Sequence, residues 1–169
     1  MTVTATDLRP AADGDALRKA YSCFPSGVVA VCAEIDGNAV GMAASSFATV
    51  SLDPPLVSLC VQHTSTTWPK LRDAPSIGVS VFSAGQDALC RQLAGAADHR
   101  FDGVTPAVTD TGALFVPDAA AILSCTIHTE IPAGDHDLVL LEITALDADP
   151  DIEPLVFHAS TFRALEARA

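Results

Sequence analysis

Three stretches of the chain hold polar and small residues in arrangements suited to binding and proton chemistry. Thr64-Ser65-Thr66-Thr67 sets four hydroxyls in a row just before Trp68-Pro69. Hydroxyls and exposed backbone N–H groups at the start of a helix can hold an anion without any lysine. A single Thr there would read as an ordinary N-cap, whereas four hydroxyls in a row favour an anion site. The second stretch is Ala43-Ala44-Ser45-Ser46. Its small side chains let a flat ring lie against the backbone, with hydroxyls and N–H donors for the ring's polar edge. Tight barrel packing selects small residues as well. The third is Gly134-Asp135-His136. An imidazole can donate, accept or carry a proton near neutral pH, although a lone histidine is more often structural. Asp135 would orient the turn or the imidazole, and Gly134 would permit a positive φ or a close approach.

The elements that must carry these stretches are mostly strands. Asp13 can cap a short helix reaching about Cys23, which Pro25-Ser26-Gly27 stops. Val28 to Ile35 is rich in β-branched residues, and Asp36-Gly37-Asn38 is a hairpin turn. Strands are expected over Ala39 to Ala44, Phe47 to Leu52 and Leu56 to Gln62, with Asp53-Pro54-Pro55 between the last two. A short helix is expected from Thr64 to Leu71, a period-2 strand at Ile77, Val79 and Val81, and a helix from Ala84 to Ala94. A loop of roughly twenty-five residues comes next, and loops of that length are usually functional or flexible. Strands return around Leu123 to Ile127, Leu138 to Leu146 and Leu155 to His158. Seven or more strands joined by short turns, without βαβ alternation, indicate a mainly β, antiparallel barrel or sandwich.

Composition narrows the function. The chain has 169 residues, 9 Lys+Arg against 21 Asp+Glu, and a net charge of -12. Nucleic acid and anionic membranes need clustered cations, so neither is expected as a partner. The length suits about one domain of ~100–200 residues. Residues 1–12 read as a flexible leader and 13–169 as a single domain. The five cysteines at 23, 32, 60, 90 and 125 form no CxxC pair, so no metal site is expected. Most lie in apolar runs such as Leu59-Cys60-Val61, which suggests free buried thiols in a reducing cytoplasm. No GxGxxG follows a strand, and GxxxxGK[ST], HExxH and GxSxG motifs are missing. An enzyme built this way would borrow a cofactor for its chemistry.

Three segments, in order, resemble the flavin reductase-like family with the FMN-binding split-barrel fold. They are Phe24-Pro25-Ser26-Gly27-Val28-Val29, the run from Gly41 through Asp53-Pro54-Pro55 to Trp68-Pro69, and Gly134-Asp135-His136-Asp137-Leu138-Val139. Leu155-Val156-Phe157-His158 matches the family's closing segment, and the likeness covers roughly residues 14–166. The resemblance implies an antiparallel split β-barrel with short peripheral helices, as a homodimer. It implies an NAD(P)H:flavin oxidoreductase that passes hydride from NADH to FMN or FAD and supplies reduced flavin to a separate flavin-dependent monooxygenase. By the same resemblance, Pro25, Ser26, Gly27, Ala43, Ala44, Ser45, Ser46, Phe47, Ser51, Ser65, Thr66 and Thr67 would line the flavin. Phe101, in the long loop, would cover the ring. Many relatives carry Arg where His63 stands; if that Arg helps hold phosphate, His63 would do so more weakly and with pH dependence. Gly134, Asp135 and His136 would meet NADH, and His136 would be the catalytic residue. Few cations exist to meet a 2′-phosphate, which favours NADH over NADPH, although one arginine such as Arg72, Arg91 or Arg100 would suffice. A flavin-binding protein of the same fold without reductase activity, and an interaction subunit that has lost the cofactor, are the alternatives.

Overall fold

A computed structural model describes residues 11–165. The expected leader therefore falls largely outside the described residues. Helix α1 (Gly14–Tyr21) starts at Asp13, whose carboxylate accepts from the Asp15 N–H at 2.9 Å. Strands β1 (Ser26–Gly27), β2 (Val29–Ile35) and β3 (Asn38–Ala44) come next, with Asp36-Gly37 as the hairpin turn. β4 (Ala48–Leu52) and β5 (Pro55–Gln62) form the second hairpin. Helix α2 (Trp68–Arg72), β6 (Ile77–Val81) and α3 (Asp87–Leu93) complete the first half.

The second half contains β7 (Ala107–Val108), β8 (Leu114–Phe115), β9 (Ala121–Ala133), β10 (His136–Ala148), β11 (Val156–His158) and β12 (Thr161–Arg163). The main sheet runs β3-β2-β6-β9-β10-β5-β4, and every pairing in it is antiparallel. Three strands separate β2 from β5, yet Val29 and Val31 share one buried cluster with Leu59 and Val61. The sheet must therefore curl round that cluster, which gives the expected split barrel. Register shifts within the β9–β10 hairpin bend these thirteen-residue strands around the core.

The uninterrupted apolar run of β2 has a simple cause, since both of its faces are covered. Val29, Val31 and Ala33 face the barrel interior. Ala30 and Cys32 face a second cluster with Phe82, Leu93 and Leu114. That second layer is built by α3 and by the segment expected to be a long loop. The segment is ordered through a 3-10 turn (Ala97–His99) and the β7–β8 hairpin, with Leu114 and Phe115 buried. Each of these pieces spans only two or three residues, too short for periodicity to show.

The helix expected over Thr64 to Leu71 begins only at Trp68. Upstream, the Ser65 N–H donates to the Gln62 carbonyl (2.9 Å) and the Ser65 hydroxyl accepts from the Trp68 N–H (3.1 Å). Those bonds form a turn that leaves Thr64–Thr67 outside the helix. No helix of the described residues is long and apolar enough to cross a membrane.

Candidate functional site

The end of β3, the outer face of β5, the 64–67 turn and the start of β10 enclose a cleft of about 480 Å³. Ala43, Ala44, Ser45 and Ser46 form one wall, and Ser65, Thr66 and Thr67 form another. His136 lines it from β10. Two local features fix this arrangement. The Ser46 hydroxyl accepts from the Cys60 N–H (2.9 Å) and donates to the Cys60 carbonyl (3.1 Å), which ties the small-residue segment to β5. Strand register then sets His136 opposite Gln62, and the His63 N–H donates to the Asp135 carbonyl (3.1 Å). Gly134 has φ +71°, as the tight turn into β10 requires.

His136 is half-buried, and its Nδ1 lies 2.7 Å from a carboxylate oxygen of Asp135. That hydrogen bond, and then the imidazole's charge, pull the Asp135 carboxyl below its ordinary 3.8. The pairing orients the ring, and Nε2 has no protein partner among the described residues. Expectation and structure part at His63. Its ring is not in the cleft wall and lies 3.2 Å from Asp137 instead. Asp137 also faces Arg72 (3.8 Å), which bonds Glu130, and Glu130 accepts from the Trp68 indole N–H at 2.7 Å. His63 thus belongs to a polar cluster that holds α2 to β9 and β10. Ser51 lies outside the wall too, on β4, where it pairs with Leu56 of β5. Cys60, expected to be buried, is exposed because strand alternation turns it outward; Cys32, Cys90 and Cys125 are the buried thiols. Burial raises the thiol pKa of Cys32 and of Cys125 to about 12.

Two neighbouring clefts share walls with the first. One, of about 770 Å³, joins Pro25, Ser26, Gly27 and Phe47 to Ser45 and Ser46. The other, of about 520 Å³, shares Thr66, Thr67 and Arg100, and Phe101 lines it. Phe101 packs beside Gly41, where an added Cβ would sit 2.9 Å from its ring and 2.4 Å from the Cys32 sulfur. Its ring is therefore on this side and not over the Ala43–Ser46 wall.

Arg100 is the wall residue that sequence reasoning undervalued. Its guanidinium donates to the carbonyls of Gly41 (2.7 Å) and Gly95 (3.0 Å) and to the buried Thr67 hydroxyl (2.8 Å). These acceptors are all neutral. Arg72 is paired with Glu130, while Arg91 stacks on Phe162 (4.7 Å) and faces Asp87 (4.0 Å). Among the described residues no carboxylate pairs with Arg100. A part-buried guanidinium without a counter-ion suits a phosphate. A small-residue wall, a row of hydroxyls and this cation together fit a flavin phosphate with its ring.

Comparison with known proteins agrees with the geometry. Residues 21–166 match the flavin reductase like domain. The chain belongs to the flavin reductase like family. Within this family it is 37% identical over 169 residues to an NADH-dependent flavin reductase of Rhodococcus sp, covering 98% of this chain and 94% of that one. Among solved structures it is similar to the NADH:FAD oxidoreductase of Streptomyces globisporus C-1027, in complex with NAD and FAD fragments. The TM-score is 0.89 at 34% identity, over 96% of this chain and 99% of that one. The flavin reductase component of a bacterial two-component tryptophan halogenase is similar as well, with a TM-score of 0.83 and 32% identity over 92% and 100% of the two chains.

Proposed function

We propose that this flavin reductase like protein is an NADH:flavin oxidoreductase that reduces FMN or FAD in the cleft between Ala43–Ser46 and Thr64–Thr67. The observation that carries the reading is Arg100, a cation with no carboxylate partner among the described residues, set beside two threonines at one end of a wall of small residues. Flavin, when bound, supplies a ring that accepts hydride from reduced nicotinamide. The protein's residues hold and orient. Ala43, Ala44 and Ser45 take the flat ring, with Pro25, Ser26, Gly27 and Phe47 at its far edge. Ser65, Thr66, Thr67 and Arg100 take the phosphate. Ser46 keeps the first wall in place through Cys60.

His136, oriented by Asp135 on the Gly134 turn, meets the nicotinamide side and can hold or move a proton at Nε2. Keeping both rings in one cleft removes most of the orientational cost of the transfer. NADH is favoured over NADPH, since Arg72 and Arg91 are already engaged by Glu130 and by Phe162 and Asp87. Residues 13–169 act as one reductase domain in the cytoplasm. Exposed Val50 and Leu52 on β4 support a homodimer. The likeness to a two-component halogenase reductase supports delivery of reduced flavin to a separate monooxygenase.

Steady-state oxidation of NADH and NADPH with riboflavin, FMN and FAD tests this. The expected result is flavin-dependent NADH oxidation, with NADPH the poorer donor. Tight flavin binding without NADH oxidation would make the protein a flavin carrier instead.

A further inference from the structure

The 64–67 turn is held by few bonds of its own. The Ser65 N–H donates to the Gln62 carbonyl, and the Ser65 hydroxyl accepts from the Trp68 N–H. α2 beyond it has five residues, and the Thr67 side chain makes no cap hydrogen bond. So short a helix is not stable by itself. What fixes the turn must act on its two ends. At the first end the His63 N–H donates to the Asp135 carbonyl, and the His63 ring lies 3.2 Å from Asp137. At the second end the indole N–H of buried Trp68 donates to Glu130 at 2.7 Å. Arg72, at the far end of α2, bonds the same Glu130 carboxylate (2.9 Å) and faces Asp137 at 3.8 Å. Glu130 pairs with Val139 and Asp137 with Pro132, so the two carboxylates are diagonal neighbours across the β9–β10 hairpin. Arg72 offsets their repulsion and joins the two ends into one chain, His63–Asp137–Arg72–Glu130–Trp68. None of these five side chains lines the flavin cleft. A part-buried ionic chain contributes little stability beyond an apolar pairing of the same volume. Its bonds are directional, however, and a turn that must present hydroxyls and N–H groups to a ligand depends on direction.

We propose that Glu130 is a positioning residue for phosphate binding: through the Trp68 indole it holds the 64–67 turn in the shape that meets the flavin phosphate. The proposal rests on the reading of that turn as the phosphate end of the cleft. Asp137 directly follows His136, so the same chain also sets the spacing between the turn and the start of β10.

The test is a titration of the intact protein with riboflavin and FMN, followed by flavin fluorescence in the absence of NADH. It is run on the native chain and on Glu130→Leu, Glu130→Gln and Trp68→Phe, with thermal melts to record folding. The native protein should bind FMN more tightly than riboflavin. Glu130→Leu should weaken FMN about tenfold and leave riboflavin unchanged. Glu130→Gln keeps an acceptor for the indole N–H and should recover most of that loss. Trp68→Phe keeps an aromatic ring and deletes the donor, so it should weaken FMN about fivefold, again sparing riboflavin. A structural role alone would lower the melting temperature and move both flavins together or neither. Equal losses of both flavins would therefore overturn the proposal. So would native FMN affinity in Trp68→Phe, or a Glu130→Gln variant as weak as Glu130→Leu. Failure of the flavin reading is separable: a native protein that binds riboflavin and FMN equally would remove the phosphate from the turn, and the positioning role with it.

Discussion

The two ends of the flavin cleft are built on different principles. At the Ala43–Ser46 end the wall is small and uncharged, and Arg18, which lines the adjoining cleft, is already bonded to Asp15 at 2.8 Å. At the Thr66–Thr67 end the wall holds Arg100, whose partners among the described residues are all neutral, and Lys70 lies in the adjoining cleft. In a chain of net charge -12, setting two of nine cations at one end is a strong local departure. On the proposed reading, ring and phosphate would be recognised separately. The neutral end would then admit any isoalloxazine, and the cationic end would tell phosphorylated flavins from riboflavin.

Substitutions at each end should therefore give different patterns. The largest effect belongs to Ser45→Phe, which fills the neutral end. Riboflavin, FMN and FAD should all lose affinity, by about a hundredfold at least, because overpacking leaves no room for the ring. Fluorescence titration of the three flavins checks this, with circular dichroism as the control for folding. Arg100→Gln comes next. It keeps hydrogen-bond donors for Gly41 and Thr67 but removes the charge. FMN and FAD should weaken about ten- to a hundredfold while riboflavin, without phosphate, is unchanged. Raising the salt concentration on the native protein should move FMN and FAD in the same direction.

His136 lines the same cleft and tests whether its two ends serve one reaction. His136→Ala should lower kcat/KM for NADH by about tenfold with flavin affinity unchanged. Stopped-flow reduction at saturating flavin reads the effect directly. The smallest effect concerns its partner. The Asp135 carboxyl is held below its ordinary 3.8 by His136. A depressed carboxyl adds stability above 3.8 that is lost as pH falls through the lower folded value. Asp135 is fully exposed, so the contribution to folding is slight, but the titration itself is measurable. NMR should find the carboxyl below its ordinary value in the native protein and returned to it in His136→Ala.

Much of the scaffold was readable from residue order, for identifiable reasons. Ile77, Val79 and Val81 alternate because the barrel interior takes every second side chain of β6. Asp36-Gly37 closes a hairpin because turn geometry restricts which residues can sit there. The same logic reached the Ala43–Ser46 wall, the 64–67 hydroxyls and the glycine at 134. It failed where long-range pairing decides. His63 meets Asp137 only through the β5–β10 register, across 74 positions of sequence. Cys60 lies in an apolar run, yet alternation turns it outward beside Ser46. Arg100 gains its place from contacts with Gly41 and Thr67, and nothing in the sequence around residue 100 announces them. The two-residue strands β7 and β8 are too short to leave a periodic trace.

The two-ended cleft is tested most directly by a crystal structure of the protein with FMN bound. The isoalloxazine should lie against Ala43–Ser46, with the phosphate bonded by Thr66, Thr67 and Arg100. A phosphate seated at the opposite end, beside Ser26 and His158, would contradict a cleft divided in this way.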